Sequence, residues 1–554
     1  MWNEVQWIKI PDMELRDKQI LHGDLGGRFA YFRLEQELPA DARLTARITA
    51  VSRYRLWVND QAVLSGSCKG DLNRQYYETV SLTPYLHAGK NVFAVQVLYN
   101  DPDIARDQTD ERAAIYGVVG AGNCHALAID GDITDAFGRV IGTISTGKAL
   151  WRVWLDHTFY LKSSEYTVYL GATEESVDAR RSPLEWKRLD FDASSWSLAC
   201  ASGPVMPSAL FQSVGLIPRV HLMPREIPLM EETECAFARV IRRKNDLVLD
   251  AGVEVNGYPR FSFSGNAGTE ITVTYLERFG NGADGARIDD MGGTVEGRAD
   301  HIILNGHLVN YEPFWVRTFR YIVVKSSDGK LPEMPAAQVY RKTGYPLSVE
   351  STVDSSTPWV GQLWGICLRT LQNCMLETYM DCPYYEQLQF IMDTRLQMLF
   401  TYAVSRDARL AKKALLDFHC GMRPEGLLPG KTPTAYCQVI STFSLHYVYA
   451  LWEYMEHTGD LALGRTDIDR ILDYYESKRD ETWLVGKITP WAFMDWQDDW
   501  KDLSGVSPAY FEGSSTIINL MYAWALACGA KLYEATGRPG TAMEYRKRRA
   551  EILE

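Results

Sequence analysis

Long apolar runs are missing. No stretch of the 554 residues approaches the roughly 18–20 consecutive apolar residues of a membrane span. The opening, MWNEVQWIKIPDMEL, has no basic segment followed by an apolar one, so it does not read as a secretory leader. The chain reads as cytoplasmic, although one whose leader had been removed would read the same way. Cysteine is sparse and scattered: ten residues with no C-x-x-C pair, which excludes a disulfide framework. Cys374, Cys382, His419 and Cys420 lack zinc spacing. Basic charge is also in deficit. Lys and Arg number 58 against 71 Asp and Glu, a net charge of -13, which argues against nucleic acid or an anionic membrane as partner. No metal or other cofactor is expected; calcium is the one ion left open, without a specific motif for it. The Gly/Asp-rich stretch 279–293 lacks the D-x-D-x-D-G calcium pattern and reads as a surface loop.

Aromatic residues are plentiful, with 16 Trp and 30 Tyr. Most belong in cores, but exposed rings suit the apolar C–H face of a sugar. The length calls for about three to four domains. RLTARITAV (43–51) and YRLWVNDQAV (54–63) read as strands, with Asn59-Asp60 as a turn inside the second. In GKNVFAVQVLYN (89–100), Val92, Ala94 and Gln96 fall on one face and Phe93, Val95 and Val97 on the other. Many short strands suggest a jelly-roll-like β-sandwich over 1–205. A second β-sandwich module is expected over 206–348, with strands in 247–265, 269–280 and 319–330. Beyond about 350 the apolar period becomes 3.6, as in Trp359, Leu363, Cys367 and Leu371. Helical patterns recur at 386–404, 407–419, 438–457, 462–478, 512–536 and from 540 onward, about seven helices in all.

The richest stretch is ETYMDCPYYEQLQFIMDTR (377–395), where Asp381, Glu386 and Asp393 alternate with rings. Pro383 suits the first turn of a helix. On that reading Glu386 and Asp393, two turns apart, project from one side, away from a buried stripe of Leu388, Met392, Leu396, Leu399 and Ala403. Carboxylates whose surroundings pull their pKa values apart are what a glycosidase needs. A capping Asp and a solvated helix face would produce the same spacing. TPWAFMDWQDDW (489–500) sets Trp491 and Trp496 beside Asp495 on a loop, as sugar recognition requires, though a helix-packing loop with solvated acids fits too. Tyr436 ends a third loop, RPEGLLPGKTPTAY, and is within reach of the same mouth.

DCPYYEQLQFIMDTR resembles the signature of bacterial α-L-rhamnosidases, glycoside hydrolase family 78. FMDW (493–496) resembles that family's aromatic-Asp-Trp loop, and YEPFWVRTFRYIVV (311–324) the strand that closes its β module. The resemblance covers about 210–554 well and the first 200 residues loosely. It implies a multidomain β + α protein: β-sandwich modules followed by an (α/α)6 toroid over 349–554, of which this sequence is expected to hold only part. It implies inverting hydrolysis of terminal α-L-rhamnosides, with Glu386 as general acid. By the same resemblance Asp381 and Asp393 grip the sugar, and Asp495 and Trp496 match the aromatic-acid loop of its pocket; Trp491, from the loop reading, and Tyr436, near where relatives often place a Trp, are the further substrate-binding candidates. Many members carry Arg-Asp where this chain has Tyr384-Tyr385. The family's general base is a Glu in a late hairpin, expected beyond residue 554; Glu512 is the late acid within the chain to consider. Another six-hairpin glycosidase or phosphorylase, and a non-catalytic carbohydrate-binding protein, are the alternative readings.

Overall fold

The structure is a computed structural model that describes residues 2, 4–11, 28–51, 53–70, 74–99, 126–162, 174–206, 213–215, 221–280, 291–331, 333–334, 337–434 and 437–554. It divides into a β unit, Met1–Tyr345 with Cys382–Gln387, and a helical unit, Pro346–Asp381 with Leu388–Glu554.

The β unit begins as a sandwich. Arg28–Leu38, Gly89–Tyr99, Arg53–Val58 and Gln61–Gly66 pair in one sheet, and Arg43–Ala50, Leu127–Asp130 and Gln75–Ser81 in the other. Period-2 alternation fills the space between them. Phe93, Val95 and Val97 join Phe32, Ile48 and Ile129 in one core, on the face the alternation predicts. Asn59 and Asp60 both take left-handed φ, 52° and 63°, as a two-residue hairpin turn requires. The sheet then runs on into the second half of the unit. Glu174–Asp178 pairs antiparallel with Arg152–Lys162 and parallel with Ala299–Ile303, which continues through Glu270–Leu276 and Arg317–Ser326 to Asp246–Phe263. Across that seam lies a buried ionic knot. Arg317 Nη2 sits 2.6 Å from Asp300 and 3.1 Å from Glu175. Glu175 also accepts the backbone N–H groups of Phe314 and Trp315, at 2.9 and 3.0 Å. Burial pushes Glu175 up to about 7, against the pull of Arg317 and with the push of Asp300. Most of 279–293 lies outside the described residues.

In the helical unit, Phe443–Thr458 is the most enclosed helix, packed against Ile391–Val404 and Thr516–Ala535. Its end is set by Gly459, whose φ of 72° lets its N–H return to the Met455 carbonyl. The expected segments 462–478 and 512–536 each resolve into two helices: Leu461–Gly464 with Asp469–Glu476, and Pro508–Glu512 with Thr516–Ala535. Among the described residues no helix is long and apolar enough to cross a membrane.

Two expectations are corrected. The helix after the acid-rich stretch starts at Ile391, not at Pro383. Residues 383–386 form a turn closed by the Gln387 N–H to the Cys382 carbonyl at 3.1 Å, and Gln387 takes φ 57°, which no right-handed helix continues. Glu386 and Asp393 therefore do not share a helix. Of the anticipated stripe only Leu388, which precedes the helix, is buried; Leu396 is 41% exposed, while Ile391, Thr394, Gln397, Met398, Thr401 and Val404 face inward. The inner face is polar because it bonds the segment at Tyr379 and Met380. Gln397 Nε2 donates to the Met380 carbonyl at 2.6 Å, and Thr401 bonds the Tyr379 hydroxyl at 2.9 Å. The stripe on Val360–Asn373 likewise lies outward, with only Leu371 of its four named positions buried.

Candidate active site

Glu386 belongs to the six-residue segment that groups with the β unit. Four side-chain hydrogen bonds tie that segment down. Trp315 Nε1 donates to Gln387 Oε1 at 2.8 Å, and Thr318 Oγ1 to the Pro383 carbonyl at 2.7 Å. Arg298 Nη2 donates to the Tyr385 carbonyl at 2.9 Å, and the buried Tyr384 hydroxyl to the Tyr275 carbonyl at 2.7 Å. At about 1 kcal/mol each, they outweigh the ~1 kcal/mol cost of a left-handed Gln387. Gly297 makes room: a Cβ there would sit 2.3 Å from the Tyr275 carbonyl oxygen and 2.8 Å from the Tyr384 hydroxyl. Glu386 itself is partly buried, and its N–H donates to Cys382 Sγ at 3.3 Å. Beside the turn, the Tyr385 side chain bonds Glu277, which also bonds Glu254. Burial pushes Glu277 upward, against the pull of those two hydrogen bonds.

In the helical unit the chain leaves at Asp381 and re-enters at Leu388. The two residues pair there: the Asp381 N–H donates to the Leu388 carbonyl at 2.8 Å, and the Leu388 N–H to Asp381 Oδ1 at 3.0 Å. Three residues after Leu388 the helix begins, and Asp393 lies in its first turn. A helix N-terminus favours the anion. Burial and the charge of Asp495 nevertheless push Asp393 above the usual carboxylate range. Asp495 sits in a loop whose Trp491, Phe493 and Trp496 rings lie 5.0–6.4 Å apart. Trp491 Nε1 donates to the Ser504 carbonyl at 3.0 Å, and the Asp495 Oδ1 accepts the Trp496 N–H at 2.7 Å. Gly505, at φ 72°, lets Phe493 lie close; a Cβ there would come within 2.4 Å of that ring. Phe493 is buried beneath, while Trp496 is 64% exposed. The result is an acid wall with a free indole face.

Asp393, Asp495, Trp491 and Trp496 are thus brought together, with Asp381 at the foot of the same helix. Tyr436 lies outside the described residues. Glu512 is exposed at the end of Pro508–Glu512 rather than at a helix start. Sequence spacing missed Trp315, Thr318, Arg298 and the Glu254–Glu277 pair. They lie far along the chain from the turn they serve, so local periodicity carries no trace of them.

Residues 348–554 match the family model of the bacterial alpha-L-rhamnosidase 6 hairpin glycosidase domain, and residues 241–340 that of the bacterial alpha-L-rhamnosidase concanavalin-like domain. The chain belongs to the bacterial α-L-rhamnosidase family. Family 78 rhamnosidase structures share its fold. That of Bacillus sp. GL1 superposes with TM-score 0.78 at 17% identity, covering 99% of this chain and 76% of its own. The α-L-rhamnosidase of Streptomyces avermitilis, solved with L-rhamnose, gives 0.68 at 18%, covering 95% and 48%. That of Aspergillus terreus gives 0.69 at 18%, covering 100% and 61%. The chain thus spans from about half to three quarters of the length of these relatives. No curated protein matches the sequence.

Proposed function

We propose that the protein removes terminal α-L-rhamnose from glycosides or polysaccharides with inversion of configuration. Glu386 acts as general acid, protonating the departing glycosidic oxygen. Asp381, Asp393 and Asp495 accept hydrogen bonds from the sugar hydroxyls, and the Trp496 and Trp491 rings take its apolar face. As the glycosidic bond breaks, a water attacks the anomeric carbon from the opposite face and gives its proton to a carboxylate base; the ring gains oxocarbenium character in between, and carboxylates around it stabilise that positive charge more than they stabilise the neutral substrate. The acid–aromatic wall of Asp393, Asp495 and Trp496, within the segment that matches the six-hairpin rhamnosidase domain, carries this reading. The L-rhamnose bound in the Streptomyces relative supports a carbohydrate substrate.

The test is release of rhamnose from an aryl α-L-rhamnoside by the full-length protein, with the first-formed anomer read by proton NMR. The β-anomer is expected. Glu386→Gln should lower turnover by roughly 10²–10⁴ while leaving the unfolding midpoint unchanged. Normal turnover by that variant rules out Glu386 as the acid, and an α-anomer product rules out inversion.

A further inference from the structure

Trp57 and Trp186 meet edge to face, 5.9 Å apart, in the wall of a cavity of about 360 Å³ in the β unit. That volume is within the ordinary range for a small-molecule site, ~300–1,000 Å³. Every residue lining it belongs to the β unit, and none to Cys382–Gln387. It is separate from the residues assigned above to rhamnose.

The charges around it are unequally matched. Glu312 is shared by Arg55, Arg260 and Arg341. Burial pushes Glu312 up, but Arg55 and Arg341 hold it down at about 2, so it is an anion already fully engaged. Lys187 is the opposite case. Its Nζ lies 4.7 Å over the Trp57 ring, and among the described residues it makes no ion pair or hydrogen bond. Burial lowers its pKa, which a carboxylate bound beside it would reverse. Asp60, the remaining acid of the lining, is exposed on the hairpin turn. Asp60, Glu312 and Glu185 act on it through space, Asp60 most, but among the described residues none pairs with it directly, so its N–H donors are left for an incoming anion. Around it the cavity presents hydroxyl and amide groups, Ser262 Oγ bonding Asn310 Oδ1 at 2.7 Å, against the rings of Phe261 and Tyr311. Polar groups between aromatic walls match a ring that carries hydroxyls on its edge and C–H bonds on its faces.

We propose that this cavity binds an acidic monosaccharide, its carboxylate paired with Lys187 and its ring held between the aromatic walls and Asn310. The site gives the β unit a ligand of its own, chosen by charge, where the rhamnose site is itself acidic.

D-galacturonate and D-galactose differ only at C6, carboxylate against hydroxymethyl, and serve as matched probes for calorimetric titration of the full-length protein. Galacturonate should bind at least tenfold more tightly than galactose, less so at high salt. Lys187→Met should erase the difference and Lys187→Arg retain it. Asn310→Asp, an exposed change that keeps the fold, should weaken galacturonate about tenfold by repulsion. Glu386→Gln should leave galacturonate affinity unchanged, so a defect in the rhamnosidase reading cannot mimic a defect in this one. Equal affinity for the two sugars, or undiminished galacturonate binding in Lys187→Met and Asn310→Asp, overturns the proposal.

Discussion

The indole N–H of Trp315 donates to Oε1 of Gln387, one residue from Glu386, and the backbone N–H of the same Trp315 is held by the buried Glu175. The turn that carries the proposed acid is thus tied through one side chain to the ionic knot of the β unit. A general acid works only if its proton points at the leaving oxygen, so what holds Gln387 holds the geometry of catalysis.

Trp315→Phe keeps the ring and removes the N–H. It should lower kcat about five- to tenfold, corresponding to ~1–1.4 kcal/mol, with KM nearly unchanged. The alkaline limb of the pH–rate profile, where the general acid loses its proton, should shift as Glu386 moves. A change in KM alone, with kcat and the profile intact, would show that Trp315 does not position the acid.

Arg317→Met leaves two buried carboxylates, Glu175 and Asp300, without their shared cation. Breaking a buried pair in this way costs ~3–5 kcal/mol. Chemical denaturation of the β unit should show a loss of that size, reduced when Asp300→Asn removes one of the stranded charges. An unaltered midpoint would mean that the knot contributes no stability.

Gly505→Ala places a methyl against the Phe493 ring at a φ that side chains disfavour. The loop must shift, and Trp496 and Asp495 with it. A stability loss of ~1–3 kcal/mol is expected, together with a severalfold rise in KM for an aryl rhamnoside. Steady-state kinetics beside a thermal melt would separate the two effects.

Asp393→Asn should trade binding for stability. Below the ordinary aspartate pKa, folded and unfolded chains both hold the proton, and the site costs nothing. As pH rises through that value the unfolded chain ionises first, because burial and Asp495 hold the folded pKa higher, so stability falls until the folded pKa is passed. The amide removes that loss. Its melting temperature should exceed that of the parent at pH 7 and converge with it near pH 3. Loss of a charged hydrogen bond, ~1.5–3 kcal/mol, should raise KM for rhamnoside roughly ten- to hundredfold. A parent and variant with parallel stability curves would refute the raised Asp393 pKa.

The sequence was most legible where structure is decided locally. The faces of Gly89–Tyr99 follow from alternation, and the Asn59-Asp60 hairpin from residues that tolerate left-handed φ. Asp381 and Asp393 stand out in the sequence because a short loop and a helix start separate them, whereas the approach of Asp495 to Asp393 is made by the fold. The start of that helix is not legible in the sequence, for the converse reason. Pro383 signals a helix to its neighbours, but Gln387 is held left-handed by Trp315, 72 residues away in the chain. The polar inner face of Ile391–Val404 is not legible in the sequence because Gln397 and Thr401 look like surface residues until the Met380 carbonyl and the Tyr379 hydroxyl they bond are in view.

The passage of Cys382–Gln387 into the β unit has a consequence for how such proteins can be recombined. A boundary drawn at Tyr345 would separate two exchangeable cassettes, yet six residues of the second cassette are fitted to the first. Exchange of the β portion between relatives would bring in foreign counterparts of Trp315, Thr318 and Arg298 beneath a native turn. Chimaeras should therefore keep their activity only when residues 382–387 are inherited with the β portion, so that the proposed acid travels with its supports and not with the helices that flank it.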